Sequence, residues 1–245
     1  MRWIYLSPHL DDVALSCGGL VWEQTQAGDK VEIWSICAGE PPAGELSLYA
    51  RVHHKVWEVT AEEAIATRRK EDIAACEVLG AEPKYFSVPD AIYRKHPKTG
   101  EPMYTNNEEL FGGVDPGDEP LVHRLMVDLA QGLSGEFVLV APLTVGNHVD
   151  HQLVRLAADG LDREIWYYPD YPYTREFAQV IPSLVPEGYR KAVFPVSEKG
   201  MEAWKVSACQ FRSQISTFWA SESTLREELQ VHAESFGGVT LSRPK

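Results

Sequence analysis

The chain has 245 residues and a formal net charge of −13, so it lacks the excess of positive charge that a nucleic-acid-binding surface needs. Its residues are 44% hydrophobic and 24% charged, which is typical of a globular domain and excludes a disordered or fibrous chain. We therefore predict a protein that binds a small molecule and has no nucleic-acid partner.

The cysteines and the apolar segments bear on the cellular compartment. Four cysteines stand singly in apolar segments, without the spacing of a disulfide framework or a zinc knuckle. No run of about eighteen apolar residues occurs, and the first residues lack the pattern of a signal peptide. The sequence predicts a cytoplasmic protein with no membrane segment, and it allows a homo-oligomer.

A strand, a helix and a second strand open the chain. Residues 2–7 and 31–37 are apolar runs of the kind found in strands covered on both faces. Between them, Asp11 or Asp12 can cap a helix that ends at residues 27–28. This order implies a right-handed crossover and a parallel sheet that binds ligands beyond the carboxyl ends of its strands. We predict an α/β fold, a Rossmann-like three-layer sandwich with a mostly parallel central sheet.

The remaining elements continue this alternation through a single domain over residues 1–245. Three long irregular segments, at about 38–60, 91–120 and 169–186, are predicted to be active-site loops, since loops of this length usually serve function. The tail at 237–245 is predicted to be irregular, so the strand before it would be the last. The predicted helices cover residues 61–79, 121–133, 148–160, 197–211 and 225–233, and the further strands cover residues 84–88, 137–141, 165–168 and 189–196.

The first predicted strand ends in a cluster of ionisable residues. Pro8 breaks the apolar run, and His9, Asp11 and Asp12 follow before apolar residues resume. Adjacent carboxylates repel each other unless a cation or a proton lies between them. A histidine and a carboxylate with an open position are typical ligands of a hydrolytic zinc site. The pattern predicts a metal centre, and the spacing leaves open which aspartate binds the metal.

A second cluster, His148–Val149–Asp150–His151, follows the apolar strand predicted at 137–141. Because the carboxyl ends of parallel strands lie at one edge of a sheet, the two clusters meet if their strands are neighbours. Each cluster taken alone has a plain alternative, in which aspartates cap helices and histidines make ordinary hydrogen bonds. The combination of both clusters favours the metal centre.

Together, the segments Pro8–His9–Leu10–Asp11–Asp12 and His148–Val149–Asp150–His151 resemble the two signature motifs of the PIG-L/LmbE-like family of zinc-dependent N-acetylglucosaminyl deacetylases. The chain departs from the family pattern at Leu10, where relatives most often have a second proline. Residues 68–71 and 213–214 also resemble family motifs. The resemblance implies a metal-dependent hydrolase that removes an N-acetyl group from an N-acetylglucosamine-type amino sugar or small glycoconjugate.

The resemblance also implies roles for the residues of the first cluster and for the last histidine. His9, Asp12 and His151 would bind the metal, and Asp11 would remain free as the general base. The implied cofactor is Zn²⁺, with Fe²⁺ or another divalent metal as alternatives. A helix-capping role for Asp11 is the plain alternative.

The other implied site residues would act on the substrate. His148 would stabilise the oxyanion and protonate the leaving amine, with Asp150 holding its ring and raising its pKa. The alternative is that Asp150 caps its own helix and His148 is exposed. Arg68 and Asp90 would contact substrate hydroxyls, although Arg68 also fits a solvated helix face.

A tyrosine that relatives often place shortly before the second motif is absent here. The chain has Thr144–Val145–Gly146–Asn147 at that place. We expect Asn147 or a tyrosine from one of the long loops to supply the missing hydrogen-bond donor.

Two other functions are compatible with the sequence. The nearest is an amidase that cleaves a larger acyl group or a thiol conjugate, and the long loops would decide between the two activities. The other is a non-catalytic metal-binding, sugar-binding or receiver-like module, because paired acidic residues after a first strand also bind Mg²⁺. The second cluster would have no purpose in a receiver-like module, which makes this alternative weaker.

Overall fold

The structure is a computed structural model that describes residues 1–57 and 60–245. Its strands are β1 (Arg2–Ser7), β2 (Lys30–Ser35), β3 (Glu82–Tyr85), β4 (Val138–Pro142), β5 (Ile165–Tyr168), β6 (Tyr189–Phe194) and β7 (Val239–Pro244). Within the described residues they form one seven-stranded sheet in the order β3-β2-β1-β4-β5-β7-β6. Neighbouring strands from β3 through β5 are parallel, whereas β7 is antiparallel to both β5 and β6. The predicted α/β fold with a mostly parallel sheet is confirmed.

The helices cover both faces of this sheet, and β1 shows how they divide. Alternate side chains of a strand point to opposite faces. Tyr5 packs in a cluster with residues of the helices at 12–26, 61–79, 198–208 and 222–236, whereas Ile4 and Leu6 pack in a second cluster with residues of the helices at 119–132 and 149–159. None of the described helices is long and apolar enough to span a bilayer. The helices are α1 (Asp12–Gln26), α2 (Leu48–Val56), α3 (Ala61–Leu79), α4 (Asn107–Leu110), α5 (Glu119–Gly132), α6 (Val149–Asp159), α7 (Thr174–Phe177), α8 (Ile181–Leu184), α9 (Glu198–Ala208), α10 (Arg212–Phe218) and α11 (Glu222–Phe236).

A close contact between α1 and α9 fixes the helix that begins at Asp12. The Trp204 indole is fully buried, and its Nε1 donates to the carbonyls of Ala14 at 2.9 Å and Leu15 at 3.1 Å. Gly18 makes this approach possible, because a Cβ atom there would lie 2.5 Å from Trp204 Cδ1. Truncating a buried indole of this kind costs about 3–5 kcal/mol.

Caps at both ends define α3, which has the predicted bounds. As the N-cap, Thr60 accepts the N–H of Glu63 through Oγ1 at 3.3 Å, and its hydroxyl donates to the Glu63 carboxylate at 2.9 Å. Gly80 ends the helix with a left-handed φ of 71°, which glycine adopts without steric cost. The helix thereby holds Arg68 and Glu71 in fixed positions beside α1.

The three segments predicted to be irregular contain short helices, so that prediction was wrong in part. Segment 38–60 contains α2, segment 91–120 contains α4, and segment 169–186 contains α7 and α8. Residues 58 and 59 of the first segment lie outside the described residues. All four helices are short; α7 and α8 begin without a side-chain cap, whereas α2 and α4 begin with one. Ser47, for example, accepts the N–H of Ala50 at the start of α2.

The prediction of an irregular tail was also wrong, because β7 lies within residues 237–245. The strand is central to the antiparallel part of the sheet, where it pairs with β6 on one side and β5 on the other. Thr240 and Ser242 are polar but buried, at 7% exposure each, so only Val239 and Leu241 mark the strand and its apolar pattern is short. The helix predicted at 197–211 corresponds to α9, which ends three residues early at Ala208, and α10 begins only after the predicted range.

Candidate active site and metal centre

The two ionisable clusters meet at one edge of the sheet. β1 and β4 are parallel neighbours, so the chain leaves both strands at the same edge. A cavity of about 270 Å³ opens there, and both clusters line it. His9, Asp11 and Asp12 come from the turn after β1, and His148 comes from the start of α6. His151 lies beneath the cavity and is fully buried.

The turn after β1 is held by side-chain to backbone hydrogen bonds. The Ser7 hydroxyl donates to the His9 carbonyl at 2.5 Å, and the His9 N–H donates to Asp12 Oδ2 at 2.7 Å. The turn brings the His9 ring to the same carboxylate, with Nδ1 at 3.3 Å from Asp12 Oδ2. Three residues of chain are thus enough to place an imidazole beside a carboxylate.

The Asp11 carboxylate points away from the helix that follows it. It makes no capping hydrogen bond to α1, and its Oδ1 accepts from Arg68 Nη2 at 2.9 Å. Arg68 is 5% exposed and its guanidinium also lies 5.6 Å from the ring centroid of Trp57. The structure therefore contradicts the capping role for Asp11 and the solvated-face role for Arg68.

Three ligand atoms converge at the floor of the cavity. His151 Nε2 lies 3.4 Å from Asp12 Oδ2, on which His9 Nδ1 also converges. These three residues offer atoms within 4.8 Å of one another, and all three residues are buried. His151 Nε2 is sealed from solvent and has no hydrogen-bond partner in the described part of the chain. A buried nitrogen without a partner is costly, so a ligand is expected there.

A second layer of carboxylates fixes the ring protons of both histidines. His9 Nε2 lies 3.0 Å from Asp150 Oδ2, and His151 Nδ1 lies 2.6 Å from Asp170 Oδ1. A carboxylate accepts a hydrogen bond, so the nitrogen that faces Asp150 or Asp170 bears the ring proton. The other nitrogens, His9 Nδ1 and His151 Nε2, then keep their lone pairs and face Asp12. Two imidazole nitrogens and one carboxylate, each supported in this way, form a donor set that fits a divalent metal.

His9, His148 and Asp150 form a second group with close ligand atoms, but its lone pairs are already used. Asp150 accepts from Arg94 Nη1, from the Ala91 N–H at 3.0 Å and from the His9 ring. His148 Nδ1 accepts the N–H of Asp150 at 3.1 Å. The first group is therefore the better metal site.

The adjacent carboxylates differ in their pKa. Burial raises the pKa of Asp11, and the neighbouring charge of Arg68 only partly opposes it. Burial acts on Asp12 as well, yet the charge of His151 and the hydrogen bond with His9 hold its pKa far below the usual range. Environments that push two neighbouring pKa values apart are typical of acid–base pairs with separate roles.

The same negative field acts on the histidines beside Asp12. Burial opposes protonation of His9, but hydrogen bonds with Asp12 and Asp150 raise its pKa well above the usual value. Burial also opposes protonation of His151, and the charge of Asp12 together with Asp170 raises its pKa. A field that attracts a proton at both nitrogens also attracts a dication between them.

The expected contact between Asp150 and the His148 ring is absent from the structure, and the expected direction of the pKa shift is wrong. The Asp150 carboxylate turns to His9 and Arg94 instead. Burial and the nearby charge of His9 lower the pKa of His148 well below its usual value. His148 is therefore neutral, with its proton on Nε2, because Nδ1 accepts a backbone N–H. It is only 6% exposed, so the alternative of an exposed His148 is also wrong.

Asp90 joins Arg68 on the wall of the cavity. It follows β3 and caps a turn by accepting the Ile92 N–H at 3.1 Å through Oδ1. Its other oxygen lies 3.6 Å from His9 Nε2. All eight residues singled out from the sequence thus lie in or directly beneath one cavity, and their functional roles stay predictions.

Comparison with known proteins identifies the family. Residues 4–161 match the PIG-L family, described as GlcNAc-PI de-N-acetylase. The match covers more than half of the chain and includes both ionisable clusters. This chain belongs to the PIG-L family. The predicted family, and with it the class of metal-dependent N-deacetylases, is confirmed, and the receiver-like alternative is set aside.

Individual relatives of this PIG-L protein are deacetylases. The 2'-N-acetylparomamine deacetylase of Niallia circulans is 30% identical over 192 residues, which are 71% of this chain and 68% of the relative. The zinc-inhibited form of teicoplanin deacetylase Orf2 is similar in structure, with a TM-score of 0.83 and 25% identity over 100% of this chain and 97% of that one. The A40926 pseudoaglycone deacetylase Dbv21 has a TM-score of 0.72 and 26% identity over 99% and 96%.

Two charged residues of this PIG-L site were missed in the sequence. Asp170 follows β5 directly, at the same edge as the other site residues, so its position after a strand was a usable signal. Arg94 lies in the second long segment and holds Asp150 and Asp118. Nothing in its sequence surroundings indicates this role, since both partners are distant in the chain.

Asn147 was one of two expected replacements for the family tyrosine, the other being a loop tyrosine, and the structure contradicts the choice of Asn147. Its Nδ2 donates to the carbonyls of Phe111 and Gly112, at 2.9 and 2.7 Å, outside the cavity. Tyr173 lines the cavity instead, with its ring centroid 5.6 Å from that of His151. Gly146 makes room for this ring, because a Cβ atom there would lie 2.5 Å from Tyr173 Cγ.

The Tyr173 hydroxyl is available as a donor. It makes no hydrogen bond within residues 1–57 and 60–245. Burial, followed by the charges of Asp12 and Asp11, raises the pKa of Tyr173 well above its usual value, so the phenol keeps its proton. The ring contact with His151 places Tyr173 beside the proposed metal ligands. Tyr173 thus lies where a loop tyrosine was expected to act.

Proposed function

We propose that this protein removes the N-acetyl group from an N-acetylglucosamine-type amino sugar or small glycoconjugate, with Zn²⁺ held by His9, Asp12 and His151. The observation that carries the proposal is the buried, unpaired Nε2 of His151 beside Asp12 and His9. Two imidazoles and a carboxylate with an open position form a typical catalytic zinc site. The same three donors would also bind Fe²⁺ or another divalent ion.

A bound divalent ion would polarise the acetamide carbonyl and lower the pKa of water. Asp11 is the proposed general base, because its carboxylate lies beside Asp12 without being oriented toward the other ligand atoms. Arg68 holds it at 2.9 Å and fixes its direction. The proton that Asp11 takes from water can then be passed to the leaving amine, so water and the amide yield acetate and a free amine.

Two neutral donors are proposed to stabilise the oxyanion. His148 presents an Nε2–H, since its Nδ1 accepts a backbone hydrogen bond. Tyr173 presents a hydroxyl without another partner. Donors held in place before the reaction stabilise developing charge more than mobile water does. Neutral donors suit this site because a cation at His148 would repel the dication that the floor is built to hold.

Arg68 and Asp90 are proposed to bind substrate hydroxyls, and their position on the cavity wall supports this. Trp57 lines the same wall and offers an apolar face to a sugar ring. By name, the first relative acts on 2'-N-acetylparomamine, and the two solved structures are deacetylases of teicoplanin and of A40926 pseudoaglycone, which supports an amino-sugar or glycoconjugate substrate here.

The direct test is acetate release from N-acetylglucosamine or N-acetylparomamine by the purified protein. We expect release to stop after chelation and to return with one equivalent of Zn²⁺. Metal analysis should find about one ion per chain in the wild type and far less in His151→Ala. Full activity after complete metal removal would contradict the proposal.

A second candidate is an amidase that acts on a larger acyl group. A further cavity of about 470 Å³ shares Phe111, Tyr173 and Phe218 with the first and continues to the 40%-exposed ring of Phe177. This apolar space would hold a longer chain. Comparing N-hexanoylglucosamine with N-acetylglucosamine separates the two activities, since the second candidate predicts the higher kcat/KM for the hexanoyl compound.

The remaining predictions concern the state of the protein. We propose a reducing, cytoplasmic location, because the four cysteines stand singly in the interior. We also propose that residues 1–245 form one catalytic domain, since both apolar clusters pack on a single sheet. A homo-oligomer stays a prediction that sedimentation measurements would test.

A further inference from the structure

Gln214 lies on a cavity wall that the family match does not reach. The match ends at residue 161, and Gln214 belongs to α10 in the last third of the chain. Its side chain lines the same cavity as Asp11 and Arg68, although the residue is only 4% exposed. A polar side chain so deeply placed at a substrate cavity needs partners on one side or the other.

One partner network comes from α3. The Ser213 N–H and hydroxyl both donate to the Glu71 carboxylate, at 2.8 and 2.7 Å. Gln214 Nε2 then donates to the Ser213 hydroxyl oxygen at 3.0 Å. Glu71 is three residues after Arg68, so both lie on the same side of α3. One helix therefore positions both the partner of Asp11 and the start of α10.

This network fixes which end of the Gln214 amide faces the cavity. A hydroxyl has one proton, and that of Ser213 is used on Glu71. Ser213 can then only accept from Gln214, so the amide nitrogen must point to it and the amide oxygen must point elsewhere. No donor in the described part of the chain reaches Gln214 Oε1. The oxygen is an unused acceptor at the wall of the cavity.

We propose that Gln214 is a specificity-determining residue whose Oε1 accepts a hydrogen bond from a ring hydroxyl of the amino-sugar substrate, and that Glu71 positions it through Ser213. The inference rests on the proposed deacetylase function. Leu15 and Phe218 line the same cavity and carry no hydrogen-bonding side-chain group, so they cannot pair with this acceptor in place of a substrate hydroxyl. A substrate without that hydroxyl would leave the acceptor unpaired.

The test compares two variants on two substrates. Gln214→Met keeps the shape of the side chain and removes the acceptor. Gln210→Met is the matched control, because Gln210 lies outside the cavity and donates to the Val206 carbonyl at 3.0 Å. For N-acetylglucosamine, Gln214→Met should raise KM about tenfold with kcat within about twofold. For N-acetylcyclohexylamine, which has no hydroxyl, both variants should match the wild type.

Equal losses on both substrates, or an unchanged KM for N-acetylglucosamine, would overturn the role of Gln214. Glu71→Gln provides a second arm, since it weakens both bonds to Ser213 without touching the cavity. It should raise KM for the sugar alone. Calorimetric binding of glucosamine, the amine product, gives a readout that does not need turnover. If the wild type releases no acetate, the proposed function fails, while weaker glucosamine binding by Gln214→Met still supports the contact and unchanged binding removes it.

Discussion

The floor and the walls of the cavity are built in different ways. The floor consists of residues 8–12 and 148–151, which lie at the ends of parallel strands and are 0–9% exposed. The walls come from α2, α10 and the long segments, and they include the ring of Phe111, which is 37% exposed. The ionisable side chains of the floor are held by hydrogen bonds, whereas the wall rings rest on packing. The difference indicates that the floor performs the reaction and the walls select the substrate.

Replacing the base should produce the largest effect on turnover. Asp11→Asn keeps the shape of the side chain but removes its ability to take a proton. We expect kcat to fall about 10²–10⁴-fold, with the metal content unchanged. Asp12→Asn, one residue away, should instead lose the metal. Steady-state kinetics with metal analysis of both variants tests this, and loss of metal from Asp11→Asn would show that the two roles are exchanged.

The wall should contribute to the reaction at one point, Tyr173. Removal of a single oxyanion donor typically lowers kcat about 10²–10³-fold. We expect a loss of about 10²-fold in kcat for Tyr173→Phe, with KM and metal content nearly constant. Tyr171→Phe is the control, since the Tyr171 ring is fully buried beside Trp219 and does not line the cavity. Similar kinetics for the two variants would remove Tyr173 from the oxyanion site.

The floor could be predicted from the sequence because its residues are close together in the chain. Pro8 to Asp12 and His148 to His151 each follow an apolar strand, and parallel strands end at a common edge. Their meeting required only that β1 and β4 be neighbours. The hydrogen bonds inside the floor were less predictable. The Asp150 carboxylate contacts His9 and Arg94 and not His148. The charge of the buried Arg94 is the strongest influence that lowers the pKa of Asp150.

The contacts within the walls could not be predicted, because they join distant segments. Residues 213–214 resemble a family motif, but the bond between Ser213 and Glu71, which are 142 residues apart, is visible only in the fold. In β7 only Val239 and Leu241 are apolar, so the strand is recognisable once β5 and β6 flank it. Local sequence patterns carry no information on such pairs.

Replacing Asp170, in the second layer of carboxylates beneath the floor, should weaken metal binding more than it lowers kcat. Asp170 accepts His151 Nδ1–H at 2.6 Å and the Val145 N–H at 2.8 Å. In Asp170→Asn, an amide N–H facing the ring would favour the tautomer with its proton on Nε2, where the metal binds. We expect about 10–100-fold weaker metal binding. Competition with a chromogenic chelator measures this.

Asp159→Asn is the control for this measurement, because Asp159 bonds to the Tyr167 hydroxyl far from the ligands. Equal metal affinity of Asp170→Asn and wild type would mean that the floor ligands are held without their second layer. The floor ligands would then be held by packing, as the wall rings are.

A buried carboxylate that is not part of the floor shows what the floor's partners contribute. Asp72 is 1% exposed, and among the described residues it accepts only from the Tyr85 hydroxyl at 2.7 Å and from Cys76 Sγ at 3.9 Å. Burial raises its pKa to about 7, with the Tyr85 hydrogen bond opposing. Asp12 is almost as buried, but the charge of His151 and the bonds of His9 lower its pKa. Cationic neighbours therefore decide which buried carboxyl is charged.

Asp72→Asn should leave turnover unchanged and alter only the pH dependence of stability. The folded protein keeps the Asp72 proton up to about pH 7, whereas the unfolded chain releases it near pH 4, so stability falls as the pH rises through this window. The loss at pH 8 is at most about 4 kcal/mol. Asn removes it and still accepts from Tyr85. Urea unfolding with chelator should show Asp72→Asn gaining stability over wild type at pH 8 but not at pH 4, whereas exposed Asp128→Asn should gain at neither; an equal gain at both pH values would mean that Asp72 is charged in the folded state.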